Sequence, residues 1–183
     1  MAKIDHTFLL SDLKQRTEFC IKEAKKLLKQ KEEVLNKKAN PETWSKLQCI
    51  DHLNQFGAFY LNEIREAIDQ NTNSSTSVFT PGFMGNIYAK AMKHSPKMTK
   101  MQSPPNMAPA KGNLSKEVIN KFIDQQKEYL DIIKLAKNKN LNKPKLEVTI
   151  SKFLKIKLGD VLRINIYHNE RHIIQAINTS IKN

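Results

Sequence analysis

The chain has 183 residues, 31 Lys and Arg against 18 Asp and Glu, and a net charge of +13. Its length favours a single domain, residues 1–183, with a real hydrophobic core. No apolar run approaches the roughly 20 residues that span a bilayer, and the N-terminus lacks the organisation of a signal peptide. We therefore expect no membrane partner and a cytoplasmic location.

Cysteine usage agrees with a reducing compartment. The two cysteines, Cys20 and Cys49, both fall within apolar stripes at helical spacing. Small buried hydrophobic residues in a reduced protein show this pattern, although the sequence alone leaves a disulfide between them open.

The strong positive charge makes nucleic acid a partner to consider. The basic residues are mostly Lys, and in the segment 23–38 they are interleaved with Glu. Few Arg residues are present, and no aromatic residues alternate with basic ones as in stacking platforms for bases. We therefore favour a solvated Lys-rich surface over a nucleic-acid interface.

Apolar residues at helical spacing predict an all-α chain with four long helices. The first predicted helix covers residues 9–37 and ends before Pro41, because the residue preceding proline avoids helical backbone angles. Ser11 is an alternative cap for it. The second predicted helix opens at Ser45, where Gln48 completes a capping box, and ends before small polar residues.

The segment 78–113 is rich in proline and methionine and predicts a long crossover between the second and third helices. A short helix fits Phe83–Lys93. Its methionines, which include Met98, Met101 and Met107, are expected to pack the segment onto the helices rather than bind a soft metal.

The third predicted helix begins at the N-cap Ser115 and continues to about Lys139. Leu146–Ile150 then alternates like a short extended segment. The fourth helix is predicted from about Gly159 to Ile181 and is apolar nearly all round, which indicates a helix covered on more than one side.

Three histidines in two of these helices suggest a metal site. His168 and His172 are four residues apart, about one helical turn, so both imidazoles leave the same face. His52 has mostly apolar helical neighbours and is expected to face inward. If the second and fourth helices pack side by side, the three rings converge in the style of a catalytic divalent-metal site. His6 and His94 are expected to be solvated, with the alternative that His94 reaches the site if the crossover folds over it.

The polar neighbours of these histidines have less certain roles. Asp51 is predicted to be a surface charge, and Glu170 points away from the ligands and is not assigned as a general base. Arg171 is expected to form a structural ion pair. Asn165 and Gln175 share the face of the histidines and have two alternatives: hydrogen bonds between helices, or orientation of a ligand.

Two stretches carry a family resemblance. They are WSKLQCIDHL at Trp44–Leu53 and LGDVLRINIYHNERHIIQ at Leu158–Gln175, supported more weakly by FIDQQ at Phe122–Gln126. Together they resemble the DinB-like (YfiT-like) metal-dependent hydrolase superfamily over nearly the whole chain. Gln48 stands where that family commonly has Glu, and Lys157 stands where a Ser or Thr cap often opens the last helix.

The resemblance implies a four-helix bundle in up-down-down-up order, often dimeric, with a divalent nickel, zinc or iron ion on His52, His168 and His172. Members include thiol transferases that use small cellular thiols, thiol-dependent isomerases and proteins without a known reaction. We therefore expect a metal-dependent thiol transferase or hydrolase acting on a small electrophile, with a low-molecular-weight thiol as cosubstrate. The alternative is a non-catalytic metal- or ligand-binding stress-response protein. No catalytic residue is assigned.

Overall fold

The computed structural model describes residues 2–95, 103–148 and 151–179. The chain is mostly helical, which confirms the predicted all-α class. The helices are α1 (His6–Leu28), α2 (Glu32–Asn36), α3 (Lys46–Asp69), α4 (Phe83–Met92), α5 (Glu117–Ala136) and α6 (Leu158–Asn178), with a 3-10 turn at Pro105–Met107. The strands are β1 (Ile4–Asp5), β2 (Val78–Phe79), β3 (Lys145–Val148) and β4 (Ser151–Lys157).

The four long helices bury one another's apolar faces. α3 packs against α5 and α6, and α1 packs against the same two helices. Their buried side chains form two apolar clusters at successive levels. One cluster is centred on residues such as Leu13, Ile64 and Leu162. The other is centred on residues such as Ala24, Ile50 and Ile173. The second level also holds the N-terminal half of α3 and the C-terminal half of α6, and so it lies beside the three histidines.

The first helix differs from its prediction at both ends. Asp5 caps α1 by accepting a hydrogen bond from the Phe8 amide at 2.8 Å, so Ser11 is not the cap. The single helix predicted over residues 9–37 is wrong, because α1 ends at Leu28 and α2 starts at Glu32. After the break, α2 buries Leu35 completely. Long-range burial of that kind overrides continuous helical periodicity.

The predicted N-terminal cap is confirmed for α3 and wrong for α5. At α3 the Ser45 side chain accepts from the Gln48 amide, and the Gln48 side chain accepts from the Ser45 amide, which confirms the capping box. At α5 the N-cap is Lys116, without a side-chain bond, so the prediction of Ser115 is wrong. Ser115 instead contributes its carbonyl, which accepts from the Val118 amide.

Short antiparallel strands form within the segments that connect the helices. The predicted extended segment forms β3, which pairs antiparallel with β4 and places Leu146 opposite Ile156 on the buried side. Neither β4 nor the β1–β2 pair was predicted from the sequence. Such pairs depend on a partner distant in sequence. Thr149–Ile150, Met98, Met101 and Ile181 lie outside the described residues.

The short helix α4 confirms the prediction of a helix over Phe83–Lys93 and lies against α6. Gly85 faces α6 so closely that an added Cβ would lie 2.5 Å from the Asp160 side chain. The buried Asp160 accepts from the Gly82 amide at 2.7 Å and pairs with Arg163 at 2.8 Å. This contact fixes the start of α4 on α6. Within the described residues, none of the helices combines the length and hydrophobicity that a membrane span needs.

Candidate metal site

His52, His168 and His172 converge between α3 and α6. One ring nitrogen from each lies within 4.8 Å of the others, and the Nε2 atoms of His52 and His168 are 3.2 Å apart. The ring centroids are 4.6 to 5.0 Å apart. His52 and His168 are buried, and His172 is the most exposed of the three. The pairing of α3 with α6 therefore brings together the three residues singled out from the sequence.

Backbone contact determines the orientation of His52. Its Nδ1 lies 2.7 Å from the Met107 carbonyl oxygen. Because a carbonyl can only accept, Nδ1 carries the proton and donates it, which leaves the lone pair of Nε2 directed at the other two histidines. Ser103 Oγ lies 3.4 Å from the same Nδ1. The crossover thus holds His52 in the tautomer suited to a metal ligand.

His172 is held in a similar way by its own helix. Its Nδ1 donates to Gln175 Oε1 at 2.8 Å, so its Nε2 is also free of hydrogen. Hydrogen bonds of this kind orient ligand histidines and raise their basicity. Gln175 therefore orients the His172 ring from the next turn of α6. His168 differs, because its buried Nδ1 has no hydrogen-bond partner in the part of the chain that the structure describes.

The environment keeps all three imidazoles neutral near pH 7. Desolvation by burial lowers the pKa of His52 from its ordinary value, against the opposing effects of the Met107 carbonyl and Asp51. Burial also lowers the pKa of His168 far below its ordinary range, helped by His172 and His52. The pKa of His172 falls to about 3, mainly through burial. Neutral imidazoles keep the lone pairs that a metal requires.

The spacing of the nitrogens fits a shared cation. Two nitrogens at about 2.0–2.1 Å from a tetrahedral Zn²⁺ are roughly 3.3 Å apart, close to the 3.2 Å between His52 and His168 Nε2. Without a proton or cation between them, two lone pairs at this distance would repel. The widest separation in the set, 4.8 Å, would have to shorten by about 1.5 Å, which side-chain rotation can supply. The three histidines could therefore hold a divalent ion.

Residues Ser103–Ala110, which we call the crossover strap, lie against the first two turns of α3. Gln48 Nε2 donates to the Ala110 carbonyl at 3.1 Å, and Asp51 Oδ2 accepts from the Ala110 amide at 2.8 Å. His52 contacts the Met107 carbonyl of the same segment. Gln48, Asp51 and His52 stand at positions i, i+3 and i+4, so all three bind the crossover strap from one face of α3. The Met107 side chain is itself buried, as expected for a methionine that packs the crossover onto the helices.

Some polar neighbours differ from expectation. Asp51 is 8 % exposed and binds the strap, so the prediction of a surface charge is wrong. His6 is also buried, at 6 % exposure, and its Nε2 lies 3.2 Å from the Ala136 carbonyl, so it is not solvated. Asp51 is far in sequence from Ala110, and His6 is far from Ala136, so both contacts depend on the tertiary fold. His94 is exposed, as predicted.

The remaining neighbours have structural contacts. Glu170 pairs with Arg16 of α1, away from the histidines, as its position on α6 predicted. Arg171 donates to the Ala91 carbonyl at the end of α4, at 2.9 Å. Asn165 donates to the Val161 carbonyl within α6, so this bond neither joins helices nor orients a ligand. The sequence did not predict that the Met107 carbonyl and Ser103 contact His52, because a crossover without periodicity does not indicate which of its groups meets a histidine.

Comparison with protein families agrees with this geometry. The family model of the DinB superfamily matches residues 16–176. The chain belongs to the DinB superfamily. The matched range includes all three histidines, Gln48 and Gln175, and it begins within α1 and ends within α6. No curated protein and no solved structure matches the chain significantly.

Proposed function

We propose that the chain is a divalent-metal-dependent enzyme whose metal is held by His52, His168 and His172. The observation that carries the proposal is the convergence of three neutral imidazoles, two of them held with Nε2 free of hydrogen. Three imidazoles suit several first-row ions, including the nickel, zinc and iron expected for the family. Three protein ligands leave room for an external one.

The proposed reaction is transfer of a small thiol to an electrophile, with hydrolysis of such a substrate as the related alternative. When bound, the metal supplies Lewis acidity, which lowers the pKa of a coordinated thiol or water. Met107 and Gln175 hold two ligand rings in position for it. Burial raises the pKa of Cys49 to about 12 and that of Cys20 well above its ordinary value, so neither supplies a thiolate at neutral pH. This supports a low-molecular-weight thiol as cosubstrate.

A specific observation also supports the non-catalytic alternative. The carboxylates nearest the ligands in sequence are engaged elsewhere, Asp51 with the Ala110 amide and Glu170 with Arg16. Among the described residues they are therefore poorly placed to act as a general base. A metal- or ligand-binding stress-response protein would show metal-linked stability without turnover of any thiol–electrophile pair.

The proposal includes a single domain, arranged as an up-down-down-up four-helix bundle, that forms a homodimer in the cytoplasm. The pairwise packing of α1, α3, α5 and α6 supports the bundle. Family membership supports the dimer, and so do the exposed apolar side chains of Phe83 and Ile87 on α4. The free buried cysteines suit a reducing compartment. Sedimentation at several concentrations tests the dimer.

Metal analysis of protein purified without a histidine tag tests the site. We expect roughly one equivalent of metal per chain, lost in His168→Ala. His94→Ala is the matched control, because His94 is an exposed histidine outside the cluster. Unchanged metal content in His168→Ala would refute the site, and turnover of thiol–electrophile pairs by the loaded wild type separates the enzyme from the binding protein.

A further inference from the structure

Two aromatic side chains border the histidine cluster. The Trp44 ring centroid lies 4.8 Å from that of His52 and 5.9 Å from that of His172. The Phe56 ring lies 4.9 Å from His52 and 4.5 Å from His168. Both aromatic residues are only partly buried, so some ring surface remains outside the core. A molecule that binds at the histidine cluster would therefore lie close to both aromatic rings.

The charged groups close to the cluster already have partners. Asp51 accepts from the Ala110 amide, and Arg171 donates to the Ala91 carbonyl. Both therefore act in holding neighbouring segments in place. Among the described residues, Ser103 and Gln175 contact His52 and His172 at Nδ1, the ring nitrogen that is not directed at the other histidines, whereas the rings of Trp44 and Phe56 lie against the imidazole rings themselves. The net charge of +13 is spread over the whole chain and would attract anions without selecting them at this site.

We propose that the external ligand of this metal site carries an uncharged aromatic group, which packs against Trp44 and Phe56. The inference rests on the proposed function and specifies its substrate class: aromatic or other planar apolar thiols and electrophiles over small anionic ones. The physical basis is that aromatic rings favour edge and offset contacts with one another beyond the effect of buried area. Binding pockets also obtain most of their affinity from apolar walls and their orientation from a few polar groups.

The test compares two probes on protein loaded with Co²⁺, whose absorption spectrum changes when a thiol coordinates. The probes are phenylmethanethiol, which carries an uncharged ring, and 2-mercaptoethanesulfonate, which carries an anionic group. The measured quantity is the ratio of their dissociation constants at one pH and ionic strength. We expect the wild type to bind phenylmethanethiol about tenfold more tightly, the amount that roughly 1.4 kcal/mol of ring contact provides.

Variants assign the preference to the two rings. Phe56→Leu and Trp44→Leu are each expected to reduce the ratio severalfold, and because the ratio is compared between proteins, the intrinsic difference between the thiols cancels. Phe59→Leu is the matched control, since Phe59 is an exposed aromatic on the same helix and its ring contacts Tyr60. Co²⁺ stoichiometry is measured first for every variant.

The outcomes separate the two hypotheses. A wild type that binds no Co²⁺ overturns the proposed function itself. A wild type that binds Co²⁺ but shows equal affinity for both probes overturns the aromatic substrate class and leaves the metal site standing. A preference that survives both Leu substitutions at full size also overturns the assignment to Trp44 and Phe56. The wild-type ratio requires no variant, so a variant that fails to fold does not remove the test.

Discussion

Replacing Gln175 by leucine should weaken metal binding without weakening the fold. Gln175 Oε1 accepts a hydrogen bond from His172 Nδ1 at 2.8 Å, and so keeps the lone pair of Nε2 directed at the site. Loss of such a partner typically reduces metal affinity by 10- to 100-fold, or about 1.4 to 2.7 kcal/mol. Because Gln175 is exposed, water can replace part of the lost hydrogen bond. We therefore expect a loss of metal affinity at the lower end of this range, about tenfold.

The single tryptophan gives a direct assay for this prediction. Trp44 is the only one in the chain, and its ring lies within 6 Å of the His52 and His172 rings, so a paramagnetic Ni²⁺ or Co²⁺ ion at the site should quench its fluorescence. Titration with Co²⁺ then yields the dissociation constant for wild type and variant under identical conditions.

A matched substitution at the same position separates orientation from packing. Gln175→Glu keeps an acceptor for His172 Nδ1, and a charged acceptor makes a stronger bond, so its affinity should equal or exceed that of the wild type. The urea midpoint of the metal-free protein should be nearly unchanged in both variants, because the side chain is exposed. If Gln175→Leu binds Co²⁺ within about twofold of the wild type, Gln175 does not orient the ligand and the reasoning fails.

Three further predictions concern stability. Gln48→Glu keeps the capping box but places a carboxylate oxygen against the Ala110 carbonyl in place of the donor, so we expect a loss of about 1–3 kcal/mol in the free energy of unfolding measured with urea. Because the folded pKa of His172 is about 3 and its ordinary value is 6.5, only the unfolded chain binds its proton between these values. The urea midpoint of metal-free protein should thus fall from pH 7 to pH 5, and a flat profile would contradict this. Gly85→Ala, which brings a Cβ against Asp160, should lower the free energy of unfolding by about 1–3 kcal/mol, whereas Ala91→Gly should lower it less.

Much of the candidate site could be predicted from sequence because it depends on helical spacing. His168 and His172 share a face wherever the segment is helical, and the inward position of His52 follows from its apolar neighbours. The contacts of the neighbouring polar residues could not be predicted in this way. Asp51 is a charged residue near the start of a helix, and nothing local distinguishes one that meets solvent from one that meets the Ala110 amide of a distant crossover.

The sequence by itself determined the helical class, the start of α3 through its capping box, and the identity of the three histidines that could share a metal. These features depend on residues within one or two turns of each other, whose geometry a helix imposes. Only the tertiary structure decided the break after α1, the β3–β4 hairpin, the burial of His6 and the contact of Met107 with His52. Each of these depends on a partner far along the chain, where packing rather than local periodicity selects the contact.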